Sequence, residues 1–359
     1  MKLHVNAMSE KKHLICSKPF EWFEATERSN SYPVFLCCSG WLPIPAGDLK
    51  YKSPLEVWNS NSAKEIRRSV IDGSFKYCRK EFCGHLSEVS GPVKYVDDET
   101  LEKFESMVET PEPPLHLNCS YDKSCNLSCP TCRTELVMAK GKQREEIGKF
   151  GTKLINDLGS NLSQIYITGS GDPFASKHYL DILTSGVLRK FPNAELYLHT
   201  NAQLFTEETW NKLKMCSDRL QVLEVSIDAA TRETYAENRR PGNWDVLNQN
   251  MKFLKGLKEA NLIENFQVSF VLQANNFREI HDFVKLGKSW SVDSIYFSTI
   301  NNWGTFSNQE YLNRAIHKNT HPHHHLLLEE LSKIDKSDPM VRLGGALMEL
   351  AGHSSDVVC

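Results

Sequence analysis

Three cysteines lie within eight residues in the stretch Cys125-Asn-Leu-Ser-Cys-Pro-Thr-Cys132. The chain has eleven cysteines among 359 residues, so chance rarely produces a C-x3-C-x2-C run of this density. A structural zinc site has four Cys or His ligands, and no fourth ligand is obvious beside this run. Three thiolates suit a cubane iron–sulfur cluster that leaves one iron open to another ligand. The run therefore predicts a cluster bound by Cys125, Cys129 and Cys132.

The composition is that of a globular protein with almost no net charge. Hydrophobic residues make up 40% and charged residues 24%, and the formal net charge is −3. This charge creates no positive field that would attract nucleic acid or an anionic membrane. No apolar run reaches the ~18 residues that span a bilayer, and Met1-Lys-Leu-His-Val-Asn6 lacks the apolar core of a signal peptide. We therefore expect a cytoplasmic protein without nucleic-acid or membrane partners, in which metal binding explains the cysteines better than disulfides do.

Strand-like segments alternate with helical stretches from residue 116 onward. The six predicted strands are 116–120, 164–168, 195–199, 222–227, 266–272 and 294–298. The first helical stretch between them begins near residue 145, and the other four cover 179–191, 207–215, 246–258 and 280–288. Alternation at this spacing predicts a parallel sheet with helices outside it. The roughly 190 residues involved are fewer than the ~250 of a complete eight-stranded barrel, so we expect an α/β fold with a partial (β/α)6 TIM-like barrel over 112–305.

The cysteine run followed by this alternation resembles the radical S-adenosylmethionine (SAM) superfamily, in which the amino and carboxylate groups of SAM bind the fourth iron. The resemblance implies a [4Fe–4S] cluster on Cys125, Cys129 and Cys132 that passes one electron to bound SAM. It also implies cleavage of SAM to methionine and a 5′-deoxyadenosyl radical, which abstracts hydrogen from a substrate C–H. An aromatic residue often precedes the third cysteine in the family and packs on the adenine, whereas this chain has Thr131 there.

A glycine-containing turn follows the second predicted strand, at the edge where a parallel barrel carries its chemistry. The turn Gly169-Ser-Gly-Asp-Pro173 is similar to the family's glycine-glycine-glutamate motif, which meets the SAM amino group. The resemblance implies that Ser170, Gly171 and Asp172 bind SAM. Aspartate is one methylene shorter than the family's glutamate, and Asp172 could alternatively be an ordinary helix N-cap.

Polar residues also follow the third and fourth predicted strands. Thr200 and Asn201 end the third strand, and Val225-Ser-Ile-Asp228 resembles the family's Ser-x-Asp pattern. The resemblance implies that Ser226 and Asp228 face the SAM ribose and carboxylate, although Asp228 could also be a helix N-cap. Arg240 stands where related enzymes carry an arginine that could pair with the SAM carboxylate.

The region before the predicted barrel, residues 10–95, resembles the SPASM/Twitch auxiliary-cluster module. The resemblance rests on cysteines around the helical motif Leu55-Glu-Val-Trp-Asn-Ser60. In most relatives this module follows the barrel, whereas here it precedes the barrel. The implied ligands of a second, auxiliary [4Fe–4S] cluster are Cys16, Cys37, Cys78 and Cys83, with Cys38 as the alternative to Cys37. A zinc site with four cysteine ligands is the other interpretation of this region.

Three further cysteines have no predicted cluster. Cys119 is expected to pack as a small hydrophobe on the first strand, Cys216 to be a buried thiol at a helix end, and Cys359 to lie in a terminal segment. Some radical epimerases use a cysteine as a hydrogen-atom donor, so each of the three is a weak candidate for that role.

The C-terminal segment 306–359 is expected to be a mostly helical cap. It contains five histidines within 317–325. Such a tract invites a metal-binding interpretation, but we favour a solvated loop before a helix over 326–334.

The resemblance implies oxidation, cross-linking or epimerisation of a peptide, a sugar or another natural product, with a flavodoxin- or ferredoxin-type electron donor. The auxiliary module starts near Cys16, so we expect no separate leader-peptide-binding domain. Two alternatives belong to other classes of protein. One is an iron–sulfur electron-transfer protein without SAM chemistry, and the other is a zinc-stabilised binding scaffold.

Overall fold

The computed structural model describes residues 12–80, 82–167, 170–213, 218, 220–335 and 337–352. The chain divides into two compact units. Unit 1 comprises Met1–Glu24 and Pro33–Pro114, and unit 2 comprises Ala25–Tyr32 and Leu115–Cys359. The predicted cysteine-rich module therefore falls mostly in unit 1, which continues past residue 95 to Pro114. The predicted barrel and the predicted C-terminal cap both belong to unit 2.

Unit 1 combines short strands with short helices. Its elements are β1 His13–Cys16, α1 Lys18–Glu21, β2 Trp22–Thr26, β3 Pro33–Phe35, β4 Gly47–Asp48, α2 Pro54–Trp58, α3 Asn61–Ile71, α4 Gly84–Glu88, β5 Val93–Val96 and α5 Asp98–Glu109. β1 pairs with β5 in antiparallel register, so that Cys16 lies opposite Val93. β3 and β4 form a second antiparallel pair. β2 runs from unit 1 into unit 2 along the chain.

Serine caps start the two helices of the Trp-Asn-Ser region. The Ser53 hydroxyl accepts from the backbone N–H of Glu56 while the Glu56 carboxylate accepts from Ser53 N–H, which is a capping box. The Ser60 hydroxyl accepts from the backbone N–H of Ala63 at the start of α3. Both caps satisfy N–H groups that have no partner inside the helix.

The buried side chain of Arg67 on α3 forms hydrogen bonds to α1 and α2. The Arg67 side chain has no exposed surface. Its Nε donates to the Pro19 carbonyl at 3.0 Å, and its Nη1 donates to the Trp58 carbonyl at 3.0 Å. The guanidinium lies 4.3 Å from the centre of the Trp58 ring. These contacts replace the water that the charged group loses on burial.

Unit 2 alternates strands and helices. Its remaining elements are β6 His116–Ser120, α6 Gly141–Leu158, β7 Gln164–Ile167, α7 Lys177–Thr184, β8 Glu195–Thr200, α8 Glu207–Lys212, β9 Leu220–Ser226, α9 Arg232–Asn238, α10 Trp244–Glu259, β10 Asn265–Leu272, α11 Ile280–Ser289, β11 Ser294–Thr299, α12 Asn308–Arg314, α13 His324–Ser332, β12 Val341–Leu343 and α14 Ala346–Leu350. The strands lie in the order β6-β7-β8-β9-β10-β11-β12, and each neighbouring pair is parallel.

The prediction of an α/β fold with a large parallel sheet is confirmed. The six predicted strands correspond to β6–β11 with end shifts of one or two residues in the described part of the chain. The helix predicted over 179–191 is wrong at its end, because α7 stops at Thr184 and a 3-10 turn follows at Val187–Lys190. The strand β12 was not predicted from the sequence. It lies in the segment 306–359, which was expected to be mostly helical, and pairs with β11. A three-residue strand is too short to show a period of two.

The helices pack their apolar faces against the sheet of unit 2. Phe283 on α11 lies 4.8 Å from the ring of Phe270 and 5.9 Å from that of Phe297, and all three are fully buried. This packing leaves the carboxyl ends of the parallel strands to carry polar side chains. Within the described ranges, no helix combines the length and apolar character that crossing a membrane requires.

Candidate functional site

The three cysteines of the C-x3-C-x2-C run lie in one loop after β6 and line one pocket of about 120 Å³. Backbone bonds shape the loop, because Cys132 N–H donates to the Cys129 carbonyl at 2.9 Å and Cys125 N–H donates to the Val137 carbonyl at 2.8 Å. Cys125 and Cys129 are buried, whereas Cys132 is exposed. The pocket is lined by Cys125, Leu127, Cys129, Cys132, Arg133, Gly171, His199, Thr200, Asn201, Ser226 and Arg239.

Hydrogen-bond donors converge on the buried sulfurs. The backbone N–H of Leu127 lies 3.4 Å from Cys125 Sγ, and Nδ2 of Asn201 lies 3.7 Å from the same atom. Nη1 of Arg239 lies 3.8 Å from Cys129 Sγ. Burial raises the pKa of the Cys125 thiol to about 12 and also raises that of Cys129. These buried sulfurs would therefore ionise readily only beside additional positive charge.

The donor set fits an iron–sulfur cluster. In the parts of the chain that the structure describes, no three His, Cys, Asp or Glu side chains form a group that could hold a metal ion. In a cubane cluster each thiolate bonds a different iron, and N–H groups directed at the sulfurs are part of its usual surroundings.

The turn after β7 presses its backbone against the cysteine loop at Gly171. A Cβ atom at this position would lie 2.5 Å from the carbonyl oxygen of Asp122 and 2.6 Å from that of Ser124. The next residue, Asp172, donates its backbone N–H to the same Ser124 carbonyl at 2.8 Å. Only glycine permits this approach, which brings the turn into the pocket wall.

The Asp172 carboxylate lies behind the pocket wall and holds the end of β8. It accepts from Thr200 Oγ1 at 2.7 Å, from Asn201 N–H at 2.9 Å and from Phe174 N–H at 3.0 Å. The side chain is 1% exposed, and burial raises its pKa while the hydrogen bonds act in the opposite direction. A direct contact between Asp172 and a SAM amino group stays a prediction.

The end of β8 contributes Thr200 and Asn201 to the pocket, as expected for residues at a strand's carboxyl end. The Asn201 amide donates to Asn126 Oδ1 at 2.9 Å, so it reaches the cysteine loop. Its own Oδ1 accepts from the backbone N–H of Gln203 at 2.9 Å. Both the nitrogen and the oxygen of the Asn201 side-chain amide are therefore hydrogen-bonded.

Asp228 does not face the pocket but orients an arginine that does. Its Oδ2 lies 2.7 Å from Nη2 of Arg239, and its Oδ1 accepts from Val271 N–H at 2.7 Å. Burial lowers the pKa of the Arg239 guanidinium, but the Asp228 carboxylate, together with Cys129 and Tyr235, outweighs burial, and the net effect raises that pKa. The ion pair thus keeps a positive charge at the pocket wall.

Arg240 does not line this pocket, and its predicted pairing with a SAM carboxylate stays a prediction. Arg239 lines the pocket, whereas the Arg240 side chain is exposed and donates from Nε to the Ser128 carbonyl at 3.0 Å. α9 ends at Asn238, so Arg239 at its C-cap still turns back toward the end of β9. The next residue, Arg240, lies outside the pocket lining.

Two further polar residues line the pocket that were not predicted from the sequence, His199 and Arg133. His199 Nε2 on β8 lies 3.6 Å from Glu224 Oε1 and contacts Ser226 Oγ, both on the neighbouring strand β9. Ser226 Oγ in turn lies 3.3 Å from Ser269 Oγ on β10. Alternation along each strand could have identified His199, because residues two apart share a face. Arg133 follows the third cysteine directly and carried no pattern of its own.

A second group of thiols lies within unit 1. Burial, followed by the neighbouring Cys78 and Cys83, raises the pKa of the Cys16 thiol to about 12. Burial also raises the pKa of Cys37 well above its usual value, with Cys16 as the largest further contributor. Cys16 therefore interacts electrostatically with Cys78 and Cys83, and Cys37 with Cys16, Cys38 and Cys83.

Cys38 has different surroundings from Cys37. Burial and the carboxylate of Glu24 raise its pKa to about 11, while the backbone N–H groups of Gly40 and Trp41 oppose this shift. Cys38 is half-buried, whereas Cys37 is 8% exposed. The ammonium of Lys18, 3.6 Å from the centre of the Trp22 ring, interacts with both thiols.

The remaining predicted candidates are three cysteines and the histidine tract 317–325. Cys119 on β6 has no exposed surface, and burial raises the pKa of its thiol to about 12. Cys216 and Cys359 lie outside the described residues. In the histidine tract, His321 Nε2 lies 3.2 Å from the Asn313 carbonyl and His324 Nδ1 lies 3.0 Å from the Ile316 carbonyl. These rings are engaged with backbone carbonyls, and α13 begins at His324.

Several solved structures are similar to this fold at low sequence identity. SuiB of Streptococcus suis bound to the precursor peptide SuiA is 12% identical, with a TM-score of 0.47 over 81% of this chain and 64% of that chain. SuiB bound to S-adenosylmethionine is 14% identical, with a TM-score of 0.44 over 79% and 60%. Native anSMEcpe with bound AdoMet is 19% identical, with a TM-score of 0.41 over 56% and 58%.

The chain spans less than two thirds of the length of these enzymes. No protein-family model matches the chain, and no curated protein matches it.

Proposed function

We propose that this protein is a radical SAM enzyme whose SAM-binding cluster is held by Cys125, Cys129 and Cys132. The observation that carries the proposal is the common pocket of these three cysteines with an ion-paired arginine, Arg239, and the polar ends of β8 and β9. When bound, the cluster and SAM would supply a 5′-deoxyadenosyl radical for hydrogen abstraction from a substrate C–H.

The pocket residues have distinct roles in this proposal. Arg239 is assigned to the SAM carboxylate, because Asp228 holds its guanidinium at the pocket wall and a planar guanidinium binds carboxylates through two N–H groups. Thr200, Asn201 and Ser226 offer hydrogen-bonding groups to the rest of SAM.

The turn after β7 completes the proposed SAM site. Ser170 and Gly171 present backbone to the ligand, and Gly171 lines the pocket. The Ser170 hydroxyl donates to the Ser120 carbonyl at 2.8 Å, which fixes the turn on the end of β6. Asp172 supports Thr200 and Asn201 from behind the pocket wall, so its proposed role toward SAM is to hold these two residues in place.

For unit 1 we propose an auxiliary [4Fe–4S] cluster on Cys16, Cys37, Cys78 and Cys83. The electrostatic interactions of Cys16 with Cys78 and Cys83, and of Cys37 with Cys16 and Cys83, support the set. The Glu24 carboxylate acts on the Cys38 thiol, which favours Cys37 over Cys38. Four thiolates would complete one cluster without an open iron.

The substrate side of the proposal is a peptide, a sugar or another natural product, in a reaction that oxidises, cross-links or epimerises it in the cytoplasm. His199, Glu224, Ser226 and Ser269 form a polar row across β8, β9 and β10 beside the pocket. This row supports a substrate that carries hydrogen-bonding groups near its reactive carbon. A flavodoxin or ferredoxin is the proposed electron donor.

The test is anaerobic reconstitution with iron and sulfide, followed by incubation with SAM and dithionite. We expect 5′-deoxyadenosine and methionine from the wild-type chain and neither from the variant Cys125→Ala, Cys129→Ala, Cys132→Ala. A reducible cluster without 5′-deoxyadenosine would contradict the proposal and indicate an electron-transfer protein. A colourless zinc-bound protein would indicate a binding scaffold instead.

A further inference from the structure

Arg133 connects two loops of the pocket with one side chain. Its Nη1 donates to the carbonyl of Lys123 in the cysteine loop at 2.6 Å. Its Nη2 donates to the carbonyl of Ser170 in the turn after β7 and also lies 3.4 Å from the sulfur of Cys132. Three acceptors from these two loops therefore share the guanidinium of Arg133, a residue that lines the pocket.

We propose that Arg133 is a positioning residue that clamps the cysteine loop to the turn after β7 and stabilises negative charge on the Cys132 sulfur. The proposal rests on the proposed function, because it assigns a role toward the cluster and SAM.

The clamp sets the separation of two backbone segments. The Lys123 and Ser170 carbonyls accept from different nitrogens of the same guanidinium, so losing Arg133 leaves both without this charged donor. The neighbouring contacts between the segments are the close approach of Gly171 and the bond from Asp172 N–H to the Ser124 carbonyl. Arg133 therefore acts where the turn enters the SAM pocket.

The same guanidinium compensates charge at the most exposed of the three sulfurs. Cys129 lies beside the guanidinium of Arg239, while Cys132 is exposed and lies beside Arg133. A cluster gains one negative charge when it is reduced. A cation and an N–H group at a ligand sulfur stabilise that reduced state and raise the reduction potential.

Lysine and methionine variants separate the two roles. Lysine keeps a positive charge but has no planar fork that reaches two carbonyls at once. Methionine is of similar length and has neither charge nor N–H donors. Arg133→Lys therefore removes the clamp while keeping the charge, and Arg133→Met removes both. Arg144→Met on the exposed side of α6 is the matched control.

The first measurement uses the reconstituted full-length protein. The EPR signal that changes when SAM is added identifies the cluster at Cys125, Cys129 and Cys132. In a redox titration of that signal, we expect a more negative midpoint for Arg133→Met than for the wild type, Arg133→Lys or Arg144→Met. The dissociation constant of SAM should rise about tenfold in both Arg133 variants. An unchanged midpoint in Arg133→Met would overturn the charge role.

The second measurement uses the full chain without iron, so it decides the clamp even if the proposed function fails. Hydrogen–deuterium exchange is followed in a peptide covering 170–176, which includes the Asp172 N–H bonded to Ser124. We expect exchange at least tenfold faster in Arg133→Lys and Arg133→Met than in the wild type and Arg144→Met. Equal exchange rates in all four proteins would overturn the clamp. Absence of SAM cleavage by the wild type would count against the proposed function alone.

Discussion

At the scale of single residues, the pocket depends on groups whose contacts are almost fully used inside the protein. Asp228 gives one oxygen to Arg239 and the other to a backbone N–H, and Asp172 accepts three hydrogen bonds. Such groups cannot be replaced without leaving a buried partner unsatisfied. The position and polarity of the pocket therefore depend mostly on residues such as Asp228 and Asp172, which hold the pocket-lining side chains in place.

Replacing Gly171 by alanine tests the contact between the turn and the cysteine loop. The added Cβ would meet two backbone oxygens, so we expect Gly171→Ala to lower the free energy of unfolding by about 1–3 kcal/mol, as measured by denaturant titration. Gly256→Ala is the control, because no atom lies within 4 Å of a Cβ there and the site is an exposed helix position. The control should gain about 0.5–1 kcal/mol. Equal stability of the two variants would contradict the close approach.

Serine substitutions distinguish the adjacent cysteines of unit 1. We expect Cys37→Ser to lose the auxiliary cluster and Cys38→Ser to retain it, because Cys37 interacts electrostatically with Cys16 and Cys83, whereas the carboxylate of Glu24 acts on Cys38. Iron analysis after reconstitution measures the difference. The reverse result would assign the fourth ligand to Cys38.

At the scale of elements, one helix cap holds the loop that leads to the cysteines. Ser176 starts α7, and its hydroxyl accepts from Tyr179 N–H at 3.0 Å while donating to Asp122 Oδ2 at 2.6 Å. Asp122 in turn accepts from Ser124 N–H at 2.9 Å. Helix α7 and the cysteine loop are thus ordered by the same buried hydroxyl.

Removing this hydroxyl should cost more than removing an exposed cap. Ser176→Ala loses the cap and the bond to a buried carboxylate, so we expect a loss of about 2–4 kcal/mol in the free energy of unfolding. Ser307→Ala at the exposed capping box of α12 should lose about 1 kcal/mol. Denaturant titration of both variants checks this order. A smaller loss for Ser176→Ala would show that Asp122 finds another donor.

At the scale of the whole molecule, two compact units each contain a group of cysteines. The proposed function therefore predicts two iron sites that can be removed separately. The wild-type chain should bind about eight irons, and Cys78→Ala with Cys83→Ala should bind about four. This double variant should retain SAM cleavage above the level of the triple variant in unit 2. Complete loss of iron in the double variant would contradict separate sites.

The sequence alone determined the parallel α/β fold and pointed to the cysteine loop. Both signals are local, since hydrophobic alternation spans a few residues and three ligands fall within eight. β12 was missed because three residues are too few for a periodic pattern.

Only the tertiary structure decided that Arg239 rather than Arg240 lines the pocket. Two adjacent arginines are equivalent in sequence, and their difference arises from the direction in which α9 ends and from the ion pair with Asp228. The structure likewise brought Arg133 and His199 to the cysteines. Their contacts join atoms from separate loops and strands, and no local pattern encodes such distances.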